Sequence, residues 1–484
     1  MIPIGKFEPD RMKYAAGVSV NVVNAVPIAD GWGPMPDVTP FTDALPAACQ
    51  GACYVRTSTG AHRMFAGTTT KLYEYNSSTN AWDDVSRASG GNYALPSADK
   101  WWFVAFGTRL IAGNLADDIQ YIDIDAGTEF AALSGSPPKA RYGWVAGAQL
   151  VLGHLATFPN RIMTSGIGDP TYWTAGRRGC DFQDFQDGEE VVGGVGSQGG
   201  SVIFQKSRIR SMSLLSGDVP FRTDILNPAR GVAAPLSIAN IGPGQFVYLS
   251  ADGFFMNVEG RAIGLERVDR WFAQQIDRSK IAEVRALVDP YAKIVWFKAE
   301  RPSGSKFLLG YCWPLDRWCY SDANVQEMAS MVTVGMTIDG MADYWSTIDE
   351  ISETYDSQLF TGGVPSFAVF NSDNEMCYVS GSPRAATLVT PDTQLTPGAR
   401  TWLSKARLVT DAPTFTMRAI TSAYHGDTRT EGSAVSPYSA TGICTFRSPG
   451  LMHAFKAEIP AGTSWTHVTG VDFPDDGFRK EGQR

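Results

Sequence analysis

Histidine, cysteine and long apolar runs are all scarce in this chain of 484 residues. The five His have no sequence neighbours that suggest a proton relay. The seven Cys are an odd number, spread thinly as Cys49, Cys53, Cys180, Cys312, Cys319, Cys377 and Cys444, so reduced thiols are expected rather than a disulfide framework. Cys49 and Cys53 with Cys312 and Cys319 would make four thiolates, but their spacing is not that of the tight Cys-x-x-Cys knuckles of structural zinc sites. They read as buried cysteines, and no metal and no cofactor is expected. No stretch approaches the roughly 18 apolar residues of a membrane span, and "MIPIGKFEPDRMKY" at the start lacks the apolar core of a secretory signal. Neither membrane insertion nor export by a signal sequence is expected.

Excess positive charge is missing too. The formal charge is −9, which removes bulk attraction to nucleic acid or to an anionic membrane and leaves only local patches. Gly-x-Ser-x-Gly, a Walker loop and His-Glu-x-x-His do not occur, so the chain is not expected to be an enzyme.

What is present is a great deal of apolar and aromatic material. With 44% hydrophobic, 11% aromatic and 19% charged residues the chain is packed rather than disordered. Its length exceeds one ordinary core, which calls for several domains or for a repeated architecture. A repeated layout is visible. "RMFAGTTTKLYEYNSSTNAWDDVS" from Arg63, "WWFVAFGTRLIAGNLADDIQYIDI" from Trp101, "RYGWVAGAQLVLGHL" from Arg141 and "GGSVIFQKSRIRSMSL" from Gly199 each give an apolar strand, a polar or Gly-containing turn and a second strand. So do "GQFVYLSADGFFMNVEG" from Gly244, "YAKIVWFKAERPSGSKFLLGYCWPLDRWCYSD" from Tyr291 and "VPSFAVFNSDNEMCYVSG" from Val364. Their spacing is close to the roughly 40 to 50 residues of a four-stranded propeller blade. The expected fold is all-β: a β-propeller of roughly seven blades over residues 55–390, with a pair of β-sandwiches as the rival architecture.

Two segments fall outside the rhythm. Residues 1–54, with the Pro- and Gly-rich "IADGWGPMPDVTPFTDALP", are expected to run extended over the propeller and to supply a strand that closes the ring. Residues 391–484 follow the boundary stretch "SGSPRAATLVTPDTQLTPGAR" and alternate with period two, which predicts a small antiparallel β module.

Helix signal is confined to short decorations. Val268, Phe272 and Ile276 fall at four-residue spacing beside Trp271, so a short amphipathic helix is expected there. Its apolar stripe either covers a blade edge or meets a neighbouring subunit, which makes Trp271, Phe272 and Ile276 the candidate subunit contacts. Two charged clusters are candidates for chemistry. In "DFQDFQDGEE", Asp184, Asp187, Glu189 and Glu190 offer a carboxylate pair for glycoside cleavage or oxygen ligands for calcium, against a plain solvated loop. In "KSRIRS", Lys206, Arg208 and Arg210 share one strand face and are candidate phosphate or partner contacts, against a solvent-facing strand; "GRRG" at Gly176 is weighed the same way. Trp173, Trp318 and Trp345 would serve a sugar-binding surface as well as a core. "SADGFF" at Ser250 partly resembles the Asp-box turn of sialidase blades, a brace without chemistry.

The segment "RIRSMSLLSGDVPFRTDILNPARGVAAPLSIANIGPGQFVYLSADGFFMNVEGRAIGLERVDRWFAQQI" resembles the tail hub or nozzle proteins of short-tailed bacteriophages, also called packaged-DNA stabilisation proteins or stoppers. The order of features carries the resemblance: a strand ending in "SLLSG", the turn at Gly231-Val232, "APLSIA", a strand pair around "SADG", then the aromatic helix. It covers residues 200–300 best and 60–200 more weakly, and "FRSPGLMHAFKAEIPAGTSW" is also similar to the end of such proteins. The resemblance implies a propeller with small added domains and a homohexameric ring beneath the adaptor and portal rings. Double-stranded DNA would pass through its lumen without specific binding, with tail fibre or spike proteins as further partners. It also implies assembly in the host bacterial cytoplasm and a final place in the virion tail. The alternatives are a receptor- or sugar-binding propeller and, less favoured, a glycoside hydrolase.

Overall fold

In the computed structural model, residues 1–215, 220–242, 244–332, 347, 365–424 and 426–481 are described. Seven four-stranded antiparallel sheets follow one another along the chain. Blades 1 to 6 are residues 51–84, 102–132, 140–184, 191–227, 239–262 and 285–321. Except between blades 4 and 5, the first strands of successive blades lie beside one another, and the first strand of blade 7, Glu327–Val332, returns to that of blade 1, Gly51–Arg56, so the sheets close into a ring. Between blades 4 and 5 the 3-10 helix Pro235–Ser237 stands at the junction.

The strand pattern explains why the sheets stack. Along His62–Gly67, Phe65 joins a core shared with blade 2, whereas Met64 and Ala66 join one shared with blade 7. In blade 2 the neighbours Leu110 and Ile111 divide in the same way between blades 1 and 3. Period-two alternation therefore sends successive side chains to opposite blade interfaces. Both faces of a middle strand are covered, so Gln149–Leu155 is buried along its whole length, and such strands read as near-continuous apolar runs. The two-residue hairpin loops after Phe106 and Ala146 open with Gly107 (φ 58°) and Gly147 (φ 55°), backbone that a side chain at that position would resist.

Indoles lock three consecutive blades. Trp102 of blade 2 lies over Gly143 of blade 3 and donates from Nε1 to the Ala140 carbonyl at 3.0 Å. Trp144 of blade 3 lies over Gly153 of its own blade and Gly194 of blade 4. Only glycine lets a six-membered ring rest flat on the backbone at these positions.

The N-terminal segment supplies the expected ring-closing strand, but the residues before that strand do not run over the propeller. Pro36–Ala44 pairs with Glu375–Pro383 as the outer strand of blade 7, so the ring is fastened by chain from both its beginning and its end. Its prolines are tolerated because an outer strand has one free edge. Residues before it belong elsewhere: the hairpin Ala25–Ile28/Gly31–Pro34 and Ile2–Pro3 join the sheet of Thr401–Thr410, Ile443–Gly450 and Val468–Asp472. Val22–Val23 joins a second sheet with Ala386–Val389, Thr416–Ser422 and Met452–Ile459. The C-terminal module is thus a two-sheet unit built from both ends of the chain. Its core is continuous with blade 6, where Arg317 donates to the carbonyls of Ile28 and Gly31 and stacks on Trp32. A boundary at residue 54 would cut through Gly51–Arg56, the first strand of blade 1.

Candidate functional sites

The two charged clusters of the sequence meet each other. Phe182–Asp184 is the outer strand of blade 3, and the acidic loop after it leads into blade 4, whose second hairpin begins with the basic segment. Arg208 lies 3.1 Å from Asp187 Oδ2, Arg210 bonds Asp187 Oδ1, and Lys206 Nζ is 2.5 Å from Glu190 Oε1. Arg210 is buried, with its guanidinium also held by Gln205 at 2.7 Å and resting on the Phe185 ring. Asp184 is taken by a fork from Arg161, at 2.5 and 2.7 Å, and this holds its carboxyl below the usual range. Glu189 serves the turn, with φ 62° and its carbonyl accepting from Gln205.

Asp184, Asp187 and Glu190 are therefore partners of local cations, and Arg208 and Arg210, the candidate phosphate or partner contacts, brace this loop. Lys206 is half exposed and already ion-paired. In "GRRG", Arg178 lies over Tyr172 and 3.9 Å from Asp169.

The expected helix is present as Asp269–Gln275, and its apolar stripe is spent inside the chain. Phe272 and Ile276 are buried; Phe272 packs edge-on to Phe254 and Phe307. Trp271 meets Phe7, Phe307 and Tyr320 with ring centroids at 5.5, 6.0 and 5.2 Å. The N-terminus of the chain completes the helix: Asp10 accepts from the backbone N–H of Arg270 and of Trp271, both at 2.7 Å. All three candidate subunit contacts thus cover blades 5 and 6, because a helix this short is stable only when its stripe is buried.

Two of the three tryptophans set aside for a sugar surface are buried: Trp173 bonds the Pro170 carbonyl and Trp318 that of Ile263. Trp345 lies outside the described residues. Cys49 and Cys53 fall in different cores from Cys312 and Cys319. Burial pushes the Cys49 thiol up to about 12.

Two further features were not singled out in the sequence. The first is a cleft of about 480 Å³ between the Ser250–Gly253 turn and the helix, walled by Leu249, Phe254, Phe272, Ile276 and Ile281. Asp269 stands in it, accepting from the Phe254 N–H at 3.1 Å; burial raises its carboxyl to about 6, with Asp10 and Asp252 adding to the shift. The second is a fully buried carboxylate, Glu327, the first residue of blade 7. Lys298 and Arg285 of blade 6 approach its Oε1 at 3.3 and 3.4 Å, and Lys100, from the link between blades 1 and 2, lies 2.6 Å from Oε2. Burial alone would raise this carboxyl, but the three cations outweigh it and hold it well below the usual range. Burial lowers Lys298 to about 8, against the pull of Glu327 and with the push of Lys100, Arg285 and Lys306. A lysine inside "IVWFKAE" and a glutamate opening "EMASMV" were the available signals, since charges in buried strands must be paired.

These features define the class: a seven-bladed β-propeller carrying a two-sheet β module assembled from both chain ends. No protein-family model and no curated protein matches the chain. Among solved structures it is similar to BamB from Moraxella catarrhalis, with 11% identity, 64% of this chain and 88% of that one covered, and a TM-score of 0.34. It is also similar to the CNH domain of AfRom2, with 9% identity, coverage of 70% and 97%, and a TM-score of 0.37. The computationally designed Ika8 protein gives 10% identity, coverage of 72% and 100%, and a TM-score of 0.38. The propeller assignment itself rests on the seven sheets and their closed order.

Proposed function

We propose that this protein is a structural component of a short-tailed phage tail, a ring-forming hub or nozzle below the adaptor and portal that retains packaged DNA and conducts it on ejection. The observation that carries the reading is where the resembling segment falls. Its described residues form, in chain order, the second half of blade 4, the Pro235–Ser237 junction, blade 5 and the docked helix. A propeller whose last blade is completed by the N-terminal strand Pro36–Ala44 suits a brick that must keep its shape under internal pressure. The charge fits too. A conduit that gripped phosphate would hold the duplex, since each neutralised phosphate adds salt-dependent affinity. The net charge is −9, and Arg208 and Arg210 are engaged by Asp187. A receptor- or sugar-binding propeller finds Trp173 and Trp318 buried, and a glycosidase finds Asp184 and Asp187 ion-paired.

The test is electron cryo-microscopy of the assembled particle together with duplex binding by the isolated chain at about 0.15 M salt, where screening leaves only close contacts. A six-membered axial ring and no measurable DNA affinity are expected. A chain found in a peripheral fibre, or tight duplex binding by the free protein, overturns the proposal.

A further inference from the structure

Between blade 6, the chain entering blade 1 and the link between blades 1 and 2, a polar cavity of about 230 Å³ opens beside the Glu327 cluster, lined among others by Gln50, Lys100, Lys298, Lys306 and Glu283. Lys280 and Glu300 also line it and pair with each other. Among the described residues that line the cavity or pair with the carboxylate behind it, Lys100, Arg285, Lys298 and Lys306 then stand against Glu283 and Glu327, an excess of two positive charges in a chain of net charge −9. Lys298 is 8% exposed. Its ammonium donates to the Gln326 carbonyl at 2.7 Å and to Glu327 at 3.3 Å. Lys100 donates to Gln50 Oε1 at 3.0 Å and lies 2.6 Å from Glu327 Oε2. An ammonium carries three N–H groups, so each of these lysines keeps donor capacity beside the cavity. Surplus charge held out of water is costly unless a counter-charge joins it.

We propose that this cavity is an oxyanion site, taking a phosphate group or a carboxylate onto Lys100 and Lys298 with Lys306 at its rim. A bound oxyanion accepts the spare N–H groups and offsets the excess charge, while Glu283 opposes it. The site stands on the fold and is independent of the tail assignment. A carboxylate ligand would be an acidic side chain of a docking protein, and a phosphate ligand a small molecule.

The experiment titrates the full-length chain with inorganic phosphate and separately with acetate, at ionic strength held constant with chloride. It reads the thermal midpoint and, for phosphate, the 31P line width. A saturable rise with phosphate supports the site with a small phosphate as ligand, and a rise with acetate alone supports it with a carboxylate. Lys306→Gln should weaken the responding anion roughly 3- to 10-fold and Glu283→Gln should strengthen it by a similar factor, the range for partly screened charges. Both changes lie at the cavity lining and leave the Glu327 ion pairs in place, so they report even where Lys298→Met does not fold. No response to either anion, or equal responses in the parent chain and both variants, overturns the proposal.

Discussion

Replacing Gly194 with alanine tests the indole lock between blades 3 and 4. A Cβ built there would have three atoms of the Trp144 ring within 2.6 Å, whereas relaxed carbon contacts sit near about 3.5–4.0 Å. The ring must therefore withdraw by about 1 Å to restore that separation. Its room to move is small, since Trp144 is only 5% exposed and its far edge already rests against Gly153. Overpacking of this kind costs about 1–3 kcal/mol. Because Gly194 does not have positive φ, alanine also restricts the unfolded chain, a gain of about 0.4–1 kcal/mol, which leaves a net loss of about 1–2 kcal/mol. Denaturant unfolding followed by tryptophan fluorescence measures it. Gly199→Ala is the control: nothing lies within 4 Å of its Cβ position, so only the unfolded-state gain of about 0.4–1 kcal/mol is expected. In a Trp144→Leu background the Gly194→Ala cost should largely vanish, a coupling of about 1 kcal/mol. Parent-like stability of the single variant, or an undiminished cost without the indole, would refute the reasoning.

Three other outcomes follow from the ion pairs and caps. Glu327→Gln leaves three cations around a buried neutral group and should cost about 3–5 kcal/mol. In the parent chain the depressed carboxyl contributes stability that is present above 4.5, its ordinary value, and drains as pH falls further, so this limb of the pH–stability curve should be missing from the variant. Asp269 has the opposite sign: its folded value of about 6 exceeds the ordinary 3.8, so ionisation destabilises the fold and stability should rise as pH falls from 7 to 5. Asp269→Asn should gain on the order of 1 kcal/mol at pH 7.5, discounted for partial exposure, and nothing at pH 4; an equal effect at both values contradicts the assignment. Asp10→Ala removes both acceptors from the helix start and should cost about 0.5–2 kcal/mol, with greater hydrogen exchange at Arg270 and Trp271, while Asp10→Asn keeps most of the stability.

The sequence by itself determined the local units. Alternating apolar strands separated by turns, Gly107 and Gly147 among them, specify hairpins regardless of what surrounds them, and the stripe Val268, Phe272, Ile276 specifies a helix with one buried side. That is why the blade count, the β module and the helix were legible. Tertiary structure decided everything that depends on which units become neighbours. The N-terminal segment, read as an extended stretch that also closes the ring, is divided between blade 7 and the terminal module, since strands of a few residues take their place from the edges left open to them. The acidic and basic clusters each looked available because strand register sets their pairing: Arg210 reaches Asp187 across 23 residues. Glu327 gathers its cations from blade 6 and from the link between blades 1 and 2, positions that come together only when the ring closes, and long-range closure leaves no periodic trace in the chain.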